Sequence, residues 1–141
     1  MSHADRILMG PGPGNPYPQV IKAFGRPVLG HLDPDFIALL DETNERLREV
    51  FRTSDPLTFP VAATGSAGME ATIVNVLGPG DTVVIGVNGV FGERMCDVAT
   101  RCGATVVRVD AEWGRALDPQ DLLDAHPNPK VVAVVHAETS T

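Results

Sequence analysis

At 141 residues, with 43% apolar and 21% charged side chains, the chain is long enough for one compact core and has the balance of an ordinary globular protein. Its formal net charge of −7 argues against bulk electrostatic attachment to nucleic acid or an anionic membrane, but leaves room for a local phosphate site made of backbone N–H groups. No apolar run approaches the roughly 18 residues of a membrane-spanning helix, and the first residues lack the apolar centre of a signal peptide, so a cytoplasmic location is expected.

The N-terminal stretch carries GPGPGNPYP at residues 10–18, which predicts an extended arm with little helix or ladder capacity. A short helix is expected from Pro18 to about Phe24, with proline at its first position. Asp33 and Pro34 read as the cap and first residue of a second helix. Its body places Phe36, Leu39, Leu40, Leu47, Val50 and Phe51 at mostly helical spacing, and Glu42, Glu45, Arg46 and Arg48 on the polar side.

From Leu57 the texture becomes that of an α/β domain. LTFPVAAT (57–64) reads as a short buried strand, GSAG (65–68) as a tight glycine turn, and MEATIVNVL (69–77) as a helix stopped by Gly78-Pro79-Gly80. TVVIGV (82–87), ATVVRVD (104–110) and VVAVVH (131–136) read as further strands. Helices are expected over 91–102 and 117–126, the latter capped by Asp118 with Pro119 next. Strands and helices that alternate, with strands apolar throughout, predict a largely parallel sheet between helices. The division expected is an N-terminal arm with its helices over 1–56 and a large, incomplete α/β domain over 57–141.

Cys96 and Cys102 fall six apart on one helix, about 240° around its axis, and form no CxxC or Cys/His pattern, so two reduced thiols and no metal site are expected. In open α/β sheets ligands bind at the carboxyl ends of the strands, and three polar segments fall there: TGSAG (64–68), NGVFG (88–92) and HAETST (136–141). Gly65 and Gly68 let backbone N–H groups face an anion at a helix start, where Ser66 adds a hydroxyl. Phe91 is placed to stack on a flat ligand or to join the core. Thr139 and Ser140 offer hydroxyls, either to a ligand or to the next helix as caps. The glycine pattern matches neither GxGxxG nor GxxxxGK[ST], so it supports no dinucleotide or P-loop site.

Taken together, LMGPGP (8–13), VLGH (28–31), DPLT (55–58), TGSAGMEA (64–71), VNVLGPGD (74–81), GVFGER (89–94) and HAETST (136–141) resemble, in order and spacing, the class V pyridoxal-phosphate-dependent aminotransferases of the alanine–glyoxylate and serine–glyoxylate type. The likeness runs from about residue 7 to residue 141. It implies fold type I, of which this chain holds the N-terminal arm and the first part of the large domain. It implies pyridoxal 5′-phosphate as cofactor, held by Ser66, Ala67 and Gly68 at the phosphate, by Phe91 stacked on the ring, and by the Thr139 hydroxyl. Pro11, Gly12, Gly30 and His31 match segments that border the substrate. The activity implied is amino transfer from a small amino acid, alanine or serine, to a 2-oxo acid such as glyoxylate, in a homodimer.

The family's Schiff-base lysine, its pyridinium-pairing aspartate and its carboxylate-binding arginine correspond to positions beyond Thr141. Lys22 and Lys130, the only lysines, fall on the early helix and at the start of the last strand, the end opposite the expected site. The chain alone is therefore expected to be inactive, with no catalytic residue of its own, and to need a C-terminal half on the same or a separate polypeptide. An exposed sheet edge beside the last strand is expected to make an isolated piece prone to aggregate. Two other readings are a non-catalytic binding or assembly domain on the same fold, and a class V enzyme with desulfurase or lyase chemistry.

Overall fold

The computed structural model describes residues 6–141. The chain divides into a first unit that ends at Ala62 and a second unit, Ala63–Thr141.

In the first unit, Asn15 closes the proline–glycine arm on itself. Its Oδ1 accepts the Leu8 N–H at 2.7 Å and its Nδ2 donates to the Arg6 carbonyl at 3.0 Å. Helix α1 (Pro18–Phe24) and helix α2 (Pro34–Phe51) follow, as the proline and cap signals predict. Asp33 caps α2 by accepting the Asp35 N–H at 2.9 Å, and α2 ends on Arg52 in the left-handed region. Neither helix buries a residue completely.

The second unit is a three-layer α/β structure. Its parallel sheet has the order β2-β1-β3, with β1 at Thr82–Val87, β2 at Thr105–Asp110 and β3 at Val131–Ala133. Helices α3 (Gly65–Val76) and α4 (Val90–Arg101) pack on each other and, with the odd-numbered residues of β1, make the main core. Val83, Ile85 and Val87 are at most 1% exposed in it, beside Ile73, Leu77, Met95 and Ala99. Helix α5 (Pro119–Asp124) lies against the other face of β1, where Leu117 and Leu122 pack over Gly86. The apolar runs thus reflect a central strand covered on both sides, since successive side chains point to opposite faces.

Three expectations need correction. Residues 57–64 form no strand. Pro60 removes a ladder donor in mid-run, and Leu57 and Val61 stay exposed at 78% and 74%. The GSAG segment is no separate turn but the first turn of α3. Thr64, in extended backbone, caps it through an Oγ1 that accepts the Ala67 N–H at 3.3 Å, so the helix begins four residues earlier than expected. The last strand is also shorter than 131–136. It pairs with β1 only through Ala133, and the chain beyond sends its polar groups to the start of α4.

Among the described residues, no helix is long and apolar enough to cross a membrane.

Candidate functional site

The carboxyl ends of β1 and β3 and the start of α3 meet at a hollow of about 540 Å³ in the second unit. Thr64, Gly65 and Ser66 form one wall, Phe91 and Met95 another, and Val134 a third. The size and the mostly apolar lining with a few convergent polar groups suit a small organic ligand.

Each wall has a local cause. The first four N–H groups of a helix have no partner inside it. In α3 the Ala67 N–H goes to Thr64 Oγ1, and the Gly68 N–H goes to the Thr64 carbonyl at 3.0 Å. Among the described residues the Gly65 and Ser66 N–H groups have no protein acceptor, so they and the Ser66 hydroxyl are the donors open to a ligand. A Cβ placed at Gly65 or Gly68 would meet nothing within 4 Å, which leaves room for an anion beside the helix end.

Helix α4 solves the same problem differently. Its cap position is Gly89, which has no side chain to accept the orphan donors. The acceptors come from the segment after β3. Glu138 Oε2 accepts the N–H groups of Phe91 at 3.1 Å and Gly92 at 3.3 Å, and Ser140 Oγ accepts that of Val90 at 2.9 Å. Glu138 Oε1 in turn accepts the Ser140 hydroxyl at 2.6 Å. Burial pushes the Glu138 carboxyl up, but the hydrogen bonds from Ser140, Gly92 and Phe91 together outweigh it and hold the group below its usual range.

The close approach depends on glycine. A Cβ at Gly89 would collide with the Glu138 and Ser140 side chains, and one at Gly92 would press on the Val87 backbone at 3.0 Å. The loop after β1 is tied further by Asn88, whose Nδ2 donates to the Arg115 carbonyl at 2.8 Å while its Oδ1 is buried with no partner among the described residues.

Of the residues read as site residues from sequence, Ser66 and Phe91 share the walls of this hollow. Ala67 and Gly68 supply the helix turn behind Ser66, with their N–H groups already used. Thr139 is exposed, next to Glu138, and is not among the lining residues. Pro11, Gly12, Gly30 and His31 belong to the first unit, the last two in the turn that leads into α2. Lys130 sits at the opposite end of the sheet, paired with Asp81 at 2.7 Å.

Sequence reading gave no role to Glu138, offered the Ser140 hydroxyl to a ligand or to the next helix rather than to α4, and gave no role to Arg94, which donates to Ser66 Oγ at 3.0 Å. One signal was available for the first two. A helix that starts on glycine must borrow its cap, and the polar groups at the end of a neighbouring parallel strand are in reach.

No family model matches the chain. It is 41% identical over 138 residues to the (S)-ureidoglycine–glyoxylate transaminase of Bacillus subtilis, a match that covers 96% of this chain and 33% of the relative. It is 39% identical over 139 residues to the alanine–glyoxylate aminotransferase of Drosophila melanogaster, covering 96% and 35%. Among solved structures, the alanine–glyoxylate aminotransferase of Nostoc sp. superposes with a TM-score of 0.82 at 46% identity, covering 98% of this chain and 37% of that one. The pyridoxamine–pyruvate aminotransferase of Mesorhizobium loti gives 0.76 at 32%, covering 94% and 34%. The chain therefore spans about a third of the length of the relatives it matches. Along that stretch its homologues and structural neighbours are class V aminotransferases, which are pyridoxal-phosphate-dependent enzymes.

Proposed function

We infer, from this homology to glyoxylate-type aminotransferases over the stretch the chain covers, that it forms the phosphate-holding and ring-stacking part of a pyridoxal-phosphate-dependent aminotransferase. The observation that carries the reading is the convergence of the open α3 start at Ser66 and the Phe91 ring on one largely apolar hollow. The donor set fits the group: two unpartnered N–H groups and a hydroxyl for the phosphate, an aromatic face for the ring, and thioether and aliphatic walls.

Ser66, with the Gly65 N–H and the turn formed by Ala67 and Gly68, would hold the phosphate at the positive end of α3. Phe91 would stack on the ring, and Met69, Met95 and Val134 would keep water from its edge. The Thr139 hydroxyl as a cofactor contact, and Pro11, Gly12, Gly30 and His31 as residues beside the substrate, rest on the family resemblance. When bound, the cofactor supplies the electron sink for amino transfer. Among the described residues, neither lysine adjoins the hollow, so neither is in place to move the substrate proton.

The proposed reaction moves an amino group from a small amino acid, alanine or serine, to a 2-oxo acid such as glyoxylate, with the remaining machinery supplied by further polypeptide. A homodimer rests on the same resemblance. It is supported by the first unit, which leaves Phe24, Val28 and Phe51 at least 72% exposed, an apolar surface of the kind that marks contacts. A cytoplasmic setting is supported by the two free cysteines.

The test is a titration of the isotope-labelled chain with pyridoxal 5′-phosphate, followed by amide shifts and by borohydride reduction with peptide mapping. Expected are saturable shifts at Ser66, Phe91 and their neighbours, no stoichiometric adduct on Lys22 or Lys130, and no transaminase turnover by this chain alone. Shifts confined to the two lysines would sink the reading.

A further inference from the structure

Every lysine and arginine of the second unit except one is engaged with a carboxylate. Arg101 pairs with Asp97 at 2.7 Å, Arg108 with Asp110 at 2.7 Å, Arg115 with Glu112 at 3.8 Å and Lys130 with Asp81 at 2.7 Å. Arg94, one turn into α4, forms no ion pair among the described residues. Its Nη1 instead donates to Ser66 Oγ at 3.0 Å, across from α4 to the start of α3. That contact spends one of the five guanidinium N–H donors and leaves the charge uncompensated.

The surroundings make this placement significant. Ser66 and Arg94 border a second, polar hollow of about 540 Å³, whose other walls include Glu70, Glu93, Asp97 and Arg101, the last already paired with Asp97. An anion at Ser66 therefore faces three nearby carboxylates, of which Asp97 is paired and Glu93 lies 3.9 Å from Arg108. The positive end of α3 contributes only about half a charge. A dianion needs more than that in such a field; Arg101 is committed to Asp97, and Arg94 is the cation of this hollow without a carboxylate partner among the described residues. The contact also orients Ser66. With one oxygen lone pair filled by the guanidinium, the hydroxyl's own proton is free to be given to a ligand and is polarised toward it.

We propose that Arg94 is the charge partner of the anion bound at Ser66, and that it makes the site selective for the phosphorylated over the unphosphorylated pyridoxal scaffold. This rests on the reading above that the scaffold binds in the hollow between Ser66 and Phe91. Arg94 acts both directly, through its remaining donors, and as a positioning residue through the Ser66 hydroxyl. Its long side chain is exposed, so substitution leaves the core untouched.

The experiment compares pyridoxine 5′-phosphate with pyridoxine, which lack the aldehyde and so cannot bond covalently to Lys22 or Lys130. Dissociation constants for both are measured by calorimetry for the unsubstituted chain, Arg94→Gln and Arg94→Lys at low salt. A lost charge-assisted hydrogen bond at a partly exposed site corresponds to about a tenfold change. Arg94→Gln is expected to weaken the phosphorylated ligand about tenfold and pyridoxine less than about twofold. Arg94→Lys, which keeps the charge without the planar fork, should fall between. The tenfold difference should shrink as salt is raised. Equal weakening of both ligands, or of neither, overturns the role of Arg94 while leaving the hollow as the binding site. Failure of the unsubstituted chain to bind either compound saturably overturns the reading of the hollow and this inference with it.

Discussion

Glu138 and Phe91 are joined by a single hydrogen bond, carboxylate to backbone N–H at 3.1 Å, across 47 residues of sequence. Through it the segment after β3 fixes the start of α4, and with it the aromatic side chain proposed to stack on the cofactor. The same carboxylate holds Gly92 and Ser140. Replacing Glu138 by Ala removes the acceptor of four hydrogen bonds at once, from the N–H groups of Phe91, Gly92 and Ser140 and from the Ser140 hydroxyl, and is expected to cost about 2 kcal/mol, the upper end for loss of a helix cap. Glu138→Gln keeps an acceptor without the charge and is expected to cost about 1 kcal/mol. Urea unfolding of the two variants measures both, and equal stability of all three proteins would show that the clasp contributes nothing.

The same carboxylate carries a pH signature. Its folded pKa is depressed, so its contribution is fully present above the unfolded value of about 4.3 and is lost as pH falls through the folded value. The partial exposure of Glu138 keeps the contribution small. Stability measured from pH 7 down to pH 2 should therefore fall less steeply in Glu138→Gln than in the unsubstituted chain below about pH 4.3. Parallel acid limbs would mean that other carboxylates account for the whole fall.

Gly89 tests the geometry from the other side. Its φ is 176°, extended backbone open to any residue, so a side chain there meets no backbone strain. The obstacle is the pair Glu138 and Ser140, which occupy the space of a Cβ. Gly89→Ala is expected to destabilise by about 1–3 kcal/mol, the range for overpacking. In a double variant with Glu138→Ala much of that cost should vanish, because one obstructing side chain is gone. Additive losses would show that Gly89 is required for some reason other than this contact.

These contacts mark the boundary of what the sequence discloses. Helices α2 and α5 were legible because Asp33-Pro34 and Asp118-Pro119 place cap and first residue side by side, and both aspartates accept the expected N–H. β1 was legible because a strand covered on both faces is apolar at every position. The start of α3 was misread because glycine at 65 and 68 signals a turn, while Thr64 supplies a cap whose effect depends on its rotamer. The end of β3 was misread because Val134 and Val135 continue the apolar run after the ladder has stopped at Ala133. Ser66 and Phe91 were singled out through strand-end logic and family likeness, and both line the hollow. Arg94 and Glu138 were not given roles, since each acts through a partner 28 or 46–47 residues away that no local pattern encodes.

At the other end of the sheet, Asp81 joins the turn before β1 to the start of β3. Its Oδ2 accepts from Lys130 Nζ at 2.7 Å and from the Gly78 N–H at 2.8 Å. The Lys130 hydrogen bond first, then that of Gly78, hold the carboxyl below its usual range. A depressed carboxyl contributes stability above its unfolded value of about 3.9, lost as pH falls through the folded one. Lys130→Met removes the larger cause, so the Asp81 carboxyl should titrate closer to the usual value in carbon-detected NMR. The stability gap between the variant and the unsubstituted chain should close as the pH drops below about 3.9. An unchanged Asp81 titration would show that Gly78 alone sets it.

Cys96 and Cys102 share one helical stretch but not one environment. Cys96 belongs to the core of α4 and is 7% exposed, whereas Cys102, at the helix end, is partly open. Burial pushes the Cys96 thiol up, more than the nearby Arg108 pulls it down. The thiolate is the reactive form, so Cys96 is held back twice, by access and by ionisation. Alkylation by iodoacetamide at about pH 8, below the ordinary thiol pKa, should therefore label Cys102 in the folded chain and leave Cys96 to react only as fast as the molecule opens. Mass mapping against time separates the two, and adding urea to the unfolding midpoint should bring the Cys96 rate toward that of Cys102. Equal rates in the native protein would mean that the α3–α4–β1 core opens far more readily than its packing implies, and with it the platform on which Ser66, Phe91 and Arg94 are held.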